Sequence, residues 1–409
     1  MITAFMDMVG LLMVIPLLPF YAKSLGAGGL MVGVLVSAFS AAQLLSAPLW
    51  GRVSDRYGRR PALLVGLFAS AIAYVVFAYA ASIWLLLLSR LVQGAGGGTV
   101  GVIQAYVADA TEPKDRAKSL GWLSAATNVG VTIGPLLGSA SLRWGHATPG
   151  LLAAGLCVVN MLFAWKFLRE ARVVTRDEPG APPPVRPRAA LRRVLSHPGE
   201  PAPRLIWIYS IGMGAFSGHT AVLALFLAAR FGFTENNIGW VFAWNGAISV
   251  LVRALALGPA VDRLGEAKLS RFGQGLLGAG LLILPFTWRL PGVAHLPGGG
   301  VVELRLILLA VSIALVPLGT AFTFPCVTAL LSQVISPRER GVMMGVQQTF
   351  GGATRVLGPL WAGWSFDHLG TPYPFWTSAV LVLGTIFLGL GIESRTGPKT
   401  PPAVTASRA

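Results

Sequence analysis

The chain has 409 residues, of which 54% are hydrophobic and only 12% charged, about half the charged share of roughly 25% found in soluble globular proteins. That balance excludes an ordinary water-soluble enzyme, and apolar runs of about 20 residues recurring from end to end read as a multi-pass integral membrane protein. The net charge of +16 does not indicate a nucleic-acid partner, because the bases sit in short clusters between apolar runs and form no continuous basic face.

In chain order the runs predict twelve spans, near residues 1–22, 30–50, 61–82, 84–107, 119–140, 149–167, 205–229, 236–257, 271–289, 305–333, 342–365 and 373–392. Each can cross a hydrocarbon core of about 30 Å. The first run lacks the basic flank and small-residue site of a cleavable leader, and its helix is expected to begin upstream of Met1. Cys157 and Cys326 fall inside apolar runs, where thiols pack as small hydrophobes, so neither a disulfide nor a metal framework is expected.

An even number of crossings puts both ends on one side, and the positive-inside rule makes that side the cytoplasm. Arg52, Arg56, Arg59, Arg60, Lys114, Arg116, Lys118, the bases between 166 and 204, Arg263, Lys268, Arg271, Arg338 and Arg340 fall there. Only Lys23, Arg143, Arg230, Arg289 and Arg305 fall opposite. Arg90, Arg253 and Arg355 are left inside spans, where a charge requires a partner or a wet cavity. Between residues 170 and 203, proline-rich stretches bracket the basic RAALRRVL. That composition predicts a flexible linker with one short helix on the membrane surface.

The linker separates two related halves. GRVSDRYG at 51–58 recurs as GPAVDRLG at 258–265, EPKDRAKSLG before the fifth span as SPRERGVMMG before the eleventh, and GPLLG at 134–138 as GPLWA at 358–362. The expected domains are an N-terminal six-helix bundle (1–168), a cytoplasmic linker (169–204), a C-terminal six-helix bundle (205–393) and a cytoplasmic tail (394–409).

Two such halves, with a basic loop after the second span of each, resemble the major facilitator superfamily over essentially the whole chain. Gly51, Asp55, Arg56, Gly58, Arg59 and Arg60 resemble its signature loop, repeated more weakly around Asp262 and Arg263, where Pro259 and Glu266 depart from the pattern. Arg90, Gln93, Gly94 and Gly96 resemble its fourth-helix motif. Gly130, Gly134, Pro135 and Gly138 resemble the antiporter motif of its drug:proton exporters. The opening MDMVGLLMVIPLLPFYA and the eighth-span FTENNIGWVFAWNG are most similar to the tetracycline/proton antiporter branch. The resemblance implies an all-α fold of twelve helices in two pseudo-symmetric bundles. It also implies that Asp55 caps the eleventh helix near Gly341, and that Arg90 faces the first span.

The residues themselves add physical content. Asp109 is a partner in reach of Arg59, and together with Asp55 these groups would latch the cytoplasmic ends, although arginines there could also serve topology alone. Glycines at every fourth position of the fifth span allow close helix packing, with or without a coupling role. Gly96, Gly98 and Gly101 match a dinucleotide fingerprint, but no strand precedes them and no cofactor is expected. Gln43, Gln93, Gln104, Asn128, Asn245, Gln347 and Gln348 are intramembrane amides suited to a substrate cavity. Trp244, with Trp207, Tyr209, Phe216, Trp240 and Phe242, could supply an apolar wall or face lipid. His219 is suited to substrate contact or proton sharing, since imidazole titrates near neutrality, or equally to a hydrogen-bonded helix–helix contact. Asp7 is the only acid deep in a span and lies about 24 Å along the helix from Lys23 at 1.5 Å per residue. Burial disfavours a charged carboxylate, so Asp7 is the expected proton carrier, the alternative being an ordinary helix-terminal acid at the interface. The resemblance offers Arg90 as its candidate cation, although a depth count back from Asp109 sets Arg90 about 28 Å away, toward the outer leaflet.

These features predict a monomeric, proton-coupled exporter of drug-like hydrophobic or amphipathic compounds in a bacterial inner membrane. The rival within the family is an importer of a sugar or small metabolite. An intramembrane enzyme is disfavoured, because the spans contain no catalytic constellation.

Overall fold

Pro16 interrupts the first apolar run. Lacking an N–H and crowding the preceding turn, it divides the run into α1 (Ile2–Val14) and α2 (Leu18–Ser24). The computed structural model describes residues 1–97, 99–112, 115–168, 170, 187–289, 291–295, 301–336 and 339–392. The succeeding helices are α3 (Gly29–Tyr57), α4 (Arg59–Ala78), α5 (Ile83–Gly96), α6 (Thr99–Asp109), α7 (Arg116–Ser141), α8 (Thr148–Phe167), α9 (Pro187–Ser196), α10 (Pro201–Phe231), α11 (Ile238–Leu251), α12 (Leu257–Ile283), α13 (Leu304–Val334), α14 (Arg340–His368) and α15 (Tyr373–Gly389).

Nine helical stretches among the described residues are long and apolar enough to cross a membrane. One of them, Ile238–Arg289, is 52 residues long and reverses at Gly265, whose φ of 73° lies in the left-handed region. With that reversal counted, and with α14 and α15, the chain makes the twelve expected passes. Gly58, with φ of 107°, makes the equivalent reversal between α3 and α4. Both turns put a glycine where a Cβ would be strained. Among the described residues the fold is all-α apart from one short antiparallel ribbon, β1 (Val293–His295) with β2 (Val301–Glu303), between the ninth and tenth passes. The sequence reading did not anticipate it. Large apolar side chains such as Trp84, Trp240, Val380 and Phe387 are exposed on the outside of the bundle, as lipid-facing residues are.

The two ends of the bundle differ. Arg52, Arg56, Arg59, Arg60, Arg116, Arg263 and Arg340 mark a basic end; Lys23, Arg143 and Arg230 mark the far end. At the far end a single apolar cluster runs through both halves, from Leu17, Leu18, Leu35 and Phe77 to Val222, Phe226, Ile238 and Phe375. Toward the basic end the clusters divide. Ala4, Leu63, Ile103 and Leu123 form one within the first half, and Leu205, Leu330, Met343 and Val346 form another within the second. The halves are therefore packed together at one end and parted at the other. The predicted linker helix is present as α9, but Ala190 and Val194 are buried against the second half, and the Trp207 indole donates to the Val194 carbonyl at 3.4 Å. Residues 171–186 and 393–409, which carry part of the predicted linker and all of the predicted tail, lie outside the described residues.

Candidate functional site

The site begins with the glycines of α7. A Cβ on Gly130 would stand 2.8 Å from the Phe5 carbonyl, one on Gly134 2.8 Å from the Val9 carbonyl, and one on Gly138 would collide with the Met13 carbonyl. Hence α1 lies backbone to backbone against the whole glycine face, close enough that its rotation is restricted. That seating points Asp7 into a cavity of about 710 Å³ bordered by Met8, Gln104, Ser124, Thr127, Asn128 and Arg253. On another edge of α7, the Pro135 carbonyl lies against Gly239 of α11, in the other half.

A second recess of about 840 Å³ adjoins the first, sharing Gly101, Gln104 and Ala105, and is lined by Gln43, Ser54, Asp55, Arg59, Gln348 and Arg355. Both open toward the parted, basic end. Gln43 donates to the Gly97 carbonyl at 3.0 Å, and Asn128 to the Ser124 carbonyl at 2.8 Å.

At the mouth, Arg59 gathers three partners: Asp55 at 2.6 Å, Asp109 at 3.0 Å and the Ser54 hydroxyl at 2.6 Å. Arg60 donates to the Trp165 carbonyl. The Glu170 carboxylate accepts from the backbone N–H groups of Arg59 at 2.7 Å and Arg60 at 3.1 Å, capping the positive N-terminus of α4. Nothing local in the sequence marked Glu170 for this role, since it arrives from 110 residues away. In the second half the repeat aligns Glu266 with Arg59 and Gln333 with Asp109. There the ion pair is replaced by a hydrogen bond of 3.1 Å from the Gln333 amide to the Glu266 carboxylate. Asp262 and Arg263 are exposed on the turn before Gly265. In this arrangement Asp55 does not cap α14. Its side chain is 65% exposed, and nothing lies within 4 Å of a Cβ built on Gly341, because the two halves are apart at this end.

The far end supplies the reciprocal contact. Asp367, near the end of α14, accepts from the N–H groups of Gly29 and Leu30 at the start of α3, each at 2.8 Å. A Cβ on Gly33 would strike the Pro359 carbonyl, and one on Gly363 the Gly29 carbonyl. Ser37 donates to the Val356 carbonyl at 2.6 Å. Between α7 and α11, Ser139 donates to the Glu235 carbonyl at 2.8 Å and accepts from Gly239 N–H at 3.0 Å.

Other predicted site residues are distributed differently. Arg90 is 1% exposed; it donates to the Gln93 side-chain oxygen and its guanidinium lies 4.7 Å from the Phe39 ring centroid. Gln93 and Gln347 are buried in helix packing, the latter donating to Thr328 at 3.1 Å. Trp244 is 49% exposed and bonds the Ala310 carbonyl at 3.2 Å; neither it nor Asn245 lines these recesses. His219 is 1% exposed and edge-on to Phe375 at 5.7 Å, outside both recesses, and both ring nitrogens are buried without a hydrogen-bond partner, so the expected hydrogen-bonded helix contact is replaced by aromatic packing. Conversely Arg253 and Arg355, left over as unexplained intramembrane charges, are cavity residues.

The model for the Major Facilitator Superfamily matches residues 1–233 and again 205–408. Tetracycline resistance protein, class C, of Escherichia coli is 30% identical over 372 residues, covering 88% of this chain and 86% of its own. Multidrug resistance protein 2 of Bacillus subtilis (strain 168) is 25% identical over 393 residues, covering 95% and 92%. Among solved structures, the human organic anion transporter MFSD10 (TETRAN) superposes with a TM-score of 0.67 at 25% identity, covering 95% of this chain and 97% of that one.

Proposed function

Because the chain belongs to the Major Facilitator Superfamily, we propose that it is a secondary transporter exporting drug-like hydrophobic or amphipathic compounds in exchange for protons by alternating access. Tetracycline and multidrug resistance proteins stand among its relatives, and adjoining recesses of about 710 and 840 Å³, lined by apolar side chains together with amides, hydroxyls and charged groups, have room for amphipathic cargo. The observation that carries the reading is the apolar cluster shared by both halves at the far end, set against separate clusters at the basic end. With the bases toward the cytoplasm, this is the state in which cargo enters from inside a bacterial inner membrane.

Each residue group has a part in the cycle. Asp7 holds the coupling proton at the floor of the first recess, and the glycine face of α7 holds α1 in register while it does so. Asp367 closes the outer ends; Asp55 closes the inner ends in the alternate state by reaching the N-terminus of α14. Both termini and the linker face the cytoplasm, and the working unit is a monomer. The test is a resistance panel in an efflux-deficient bacterial host. Protection against several structurally unrelated antibiotics or dyes is expected, and no protection against any of them would return weight to an importer.

A further inference from the structure

Two arginines in the cavity have no part in the cycle just described. Arg253 lines the first recess and Arg355 the second, and both come from the C-terminal half. The Nε of each is buried without a hydrogen-bond partner. A guanidinium keeps its charge under all ordinary conditions, and an N–H donor buried without a hydrogen-bond partner is costly to hold. The fold does not require either one. In the register that aligns Gly51 with Gly258 and Gly134 with Gly358, the first half carries Ser46 and Val131 at the same places.

Backbone geometry singles out Arg253 further. It lies in a π-helical segment, Val252–Ala256, inserted between α11 and α12. Such a wide turn re-aims a side chain at the cost of regular hydrogen bonding and recurs at functional sites. The charge balance of the lining points the same way. Among the described lining residues the acids are Asp7 and Asp55, and the cations are Arg59, Arg253 and Arg355. Asp55 already pairs with Arg59, so the surplus is positive and lies on the second half.

We propose that Arg253 and Arg355 receive an acidic group of the exported compound, so that this cavity selects amphoteric compounds, carrying an anionic and a cationic group together, over simple lipophilic cations. Planar guanidinium forks match carboxylate, sulfonate or enolate oxygens in two-point hydrogen bonds. The cationic group follows from exchange, and this clause rests on the export reading. Proton and cargo must exclude one another at Asp7. A plain anion would bind better once Asp7 is protonated, which produces co-transport. A cationic group that pairs with ionised Asp7 restores the competition, while the acidic group is held by the arginines of the second half.

Rhodamine B and its ethyl ester separate the possibilities, since both carry the delocalised cation and only the former has a free carboxylate. Dye binding to the purified full chain is measured by fluorescence polarisation, and proton-driven uptake of each dye is measured in everted vesicles. The acid is expected to bind about 10- to 100-fold more tightly than the ester, the range of a charge-assisted hydrogen-bonded contact. Arg253→Gln with Arg355→Gln should bring that ratio close to 1, and Arg→Lys at both positions should restore part of it. Equal binding of the two dyes by the unaltered chain, or binding of neither, overturns the proposal without any variant having to fold. The expected preference in binding without proton-driven uptake would leave the acidic-group site standing and remove the export reading. Fluorescein, an anion without a cation, binding as tightly as rhodamine B would overturn the amphoteric requirement.

Discussion

Asp367 accepts hydrogen bonds from the N–H groups of Gly29 and Leu30, both at 2.8 Å, so that an acid near the end of α14 caps the start of α3 across the boundary between the halves. The two helices run antiparallel, and Asp55 occupies the corresponding place near the end of α3. In this state Asp55 pairs with Arg59 instead, at 2.6 Å. One acid is engaged at the closed end and its counterpart is released at the open one. Asp367→Asn keeps the side chain's shape and removes the charge from a helix N-terminus, a change of roughly 0.3–2 kcal/mol. It should shift the population toward the outward-open form, while Asp55→Asn should shift it the other way. Maleimide labelling of single cysteines placed on either side of the membrane reads both; displacement in the same direction by the two variants would refute reciprocity.

Asp7→Asn should abolish transport driven by a pH gradient while leaving cargo binding measurable, because the amide keeps the cavity's shape but cannot exchange a proton. Asp7→Glu should retain partial activity. Undiminished gradient-driven transport in vesicles by the Asn variant would end the assignment of the coupling proton to this residue.

Gly134→Ala tests the seating of α1. The new methyl would stand 2.8 Å from the Val9 carbonyl and 2.9 Å from Leu12 Cβ, forcing the helices apart at an expected cost of about 1–3 kcal/mol. Melting temperature and transport should both fall. Gly121→Ala on the same helix meets nothing within 4 Å and should be neutral or slightly stabilising, since alanine favours helix. Equal effects of the two would show that the close approach does not matter.

Glu170→Ala removes the carboxylate that caps α4. The residue is exposed, so the expected loss is at the low end for a cap, about 0.5–1 kcal/mol. The consequence should be local: faster hydrogen exchange at Arg59 and Arg60, with the far end unaffected. Unchanged exchange at those two amides would remove the cap from the account.

Reporter fusions test the orientation on which the inside and outside assignments depend. An enzymatic tag active only outside the cytoplasm should be silent when placed after Ala409 or within residues 171–186. Activity at either place would reverse the assignment of ends.

Much of this protein could be read before any coordinates. Twelve passes followed from apolar run length, because a bilayer of fixed thickness imposes that length on each helix, and the two halves followed from repeated loop residues such as Asp55 with Asp262. The signature loop and the α7 glycines were legible because turns and close helix contacts restrict residue type at fixed spacing. Contacts between distant segments were not. The Glu170 cap, the Asp367 latch and the burial of His219 against Phe375 depend on which surfaces meet, and periodicity carries no information about that. The state of the cycle was equally beyond the sequence, since one chain must support both arrangements and only tertiary packing selects between them. Arg253 and Arg355 stand between these cases: the sequence marked them as charges in need of a partner or water, and the fold decided that they face the cavity.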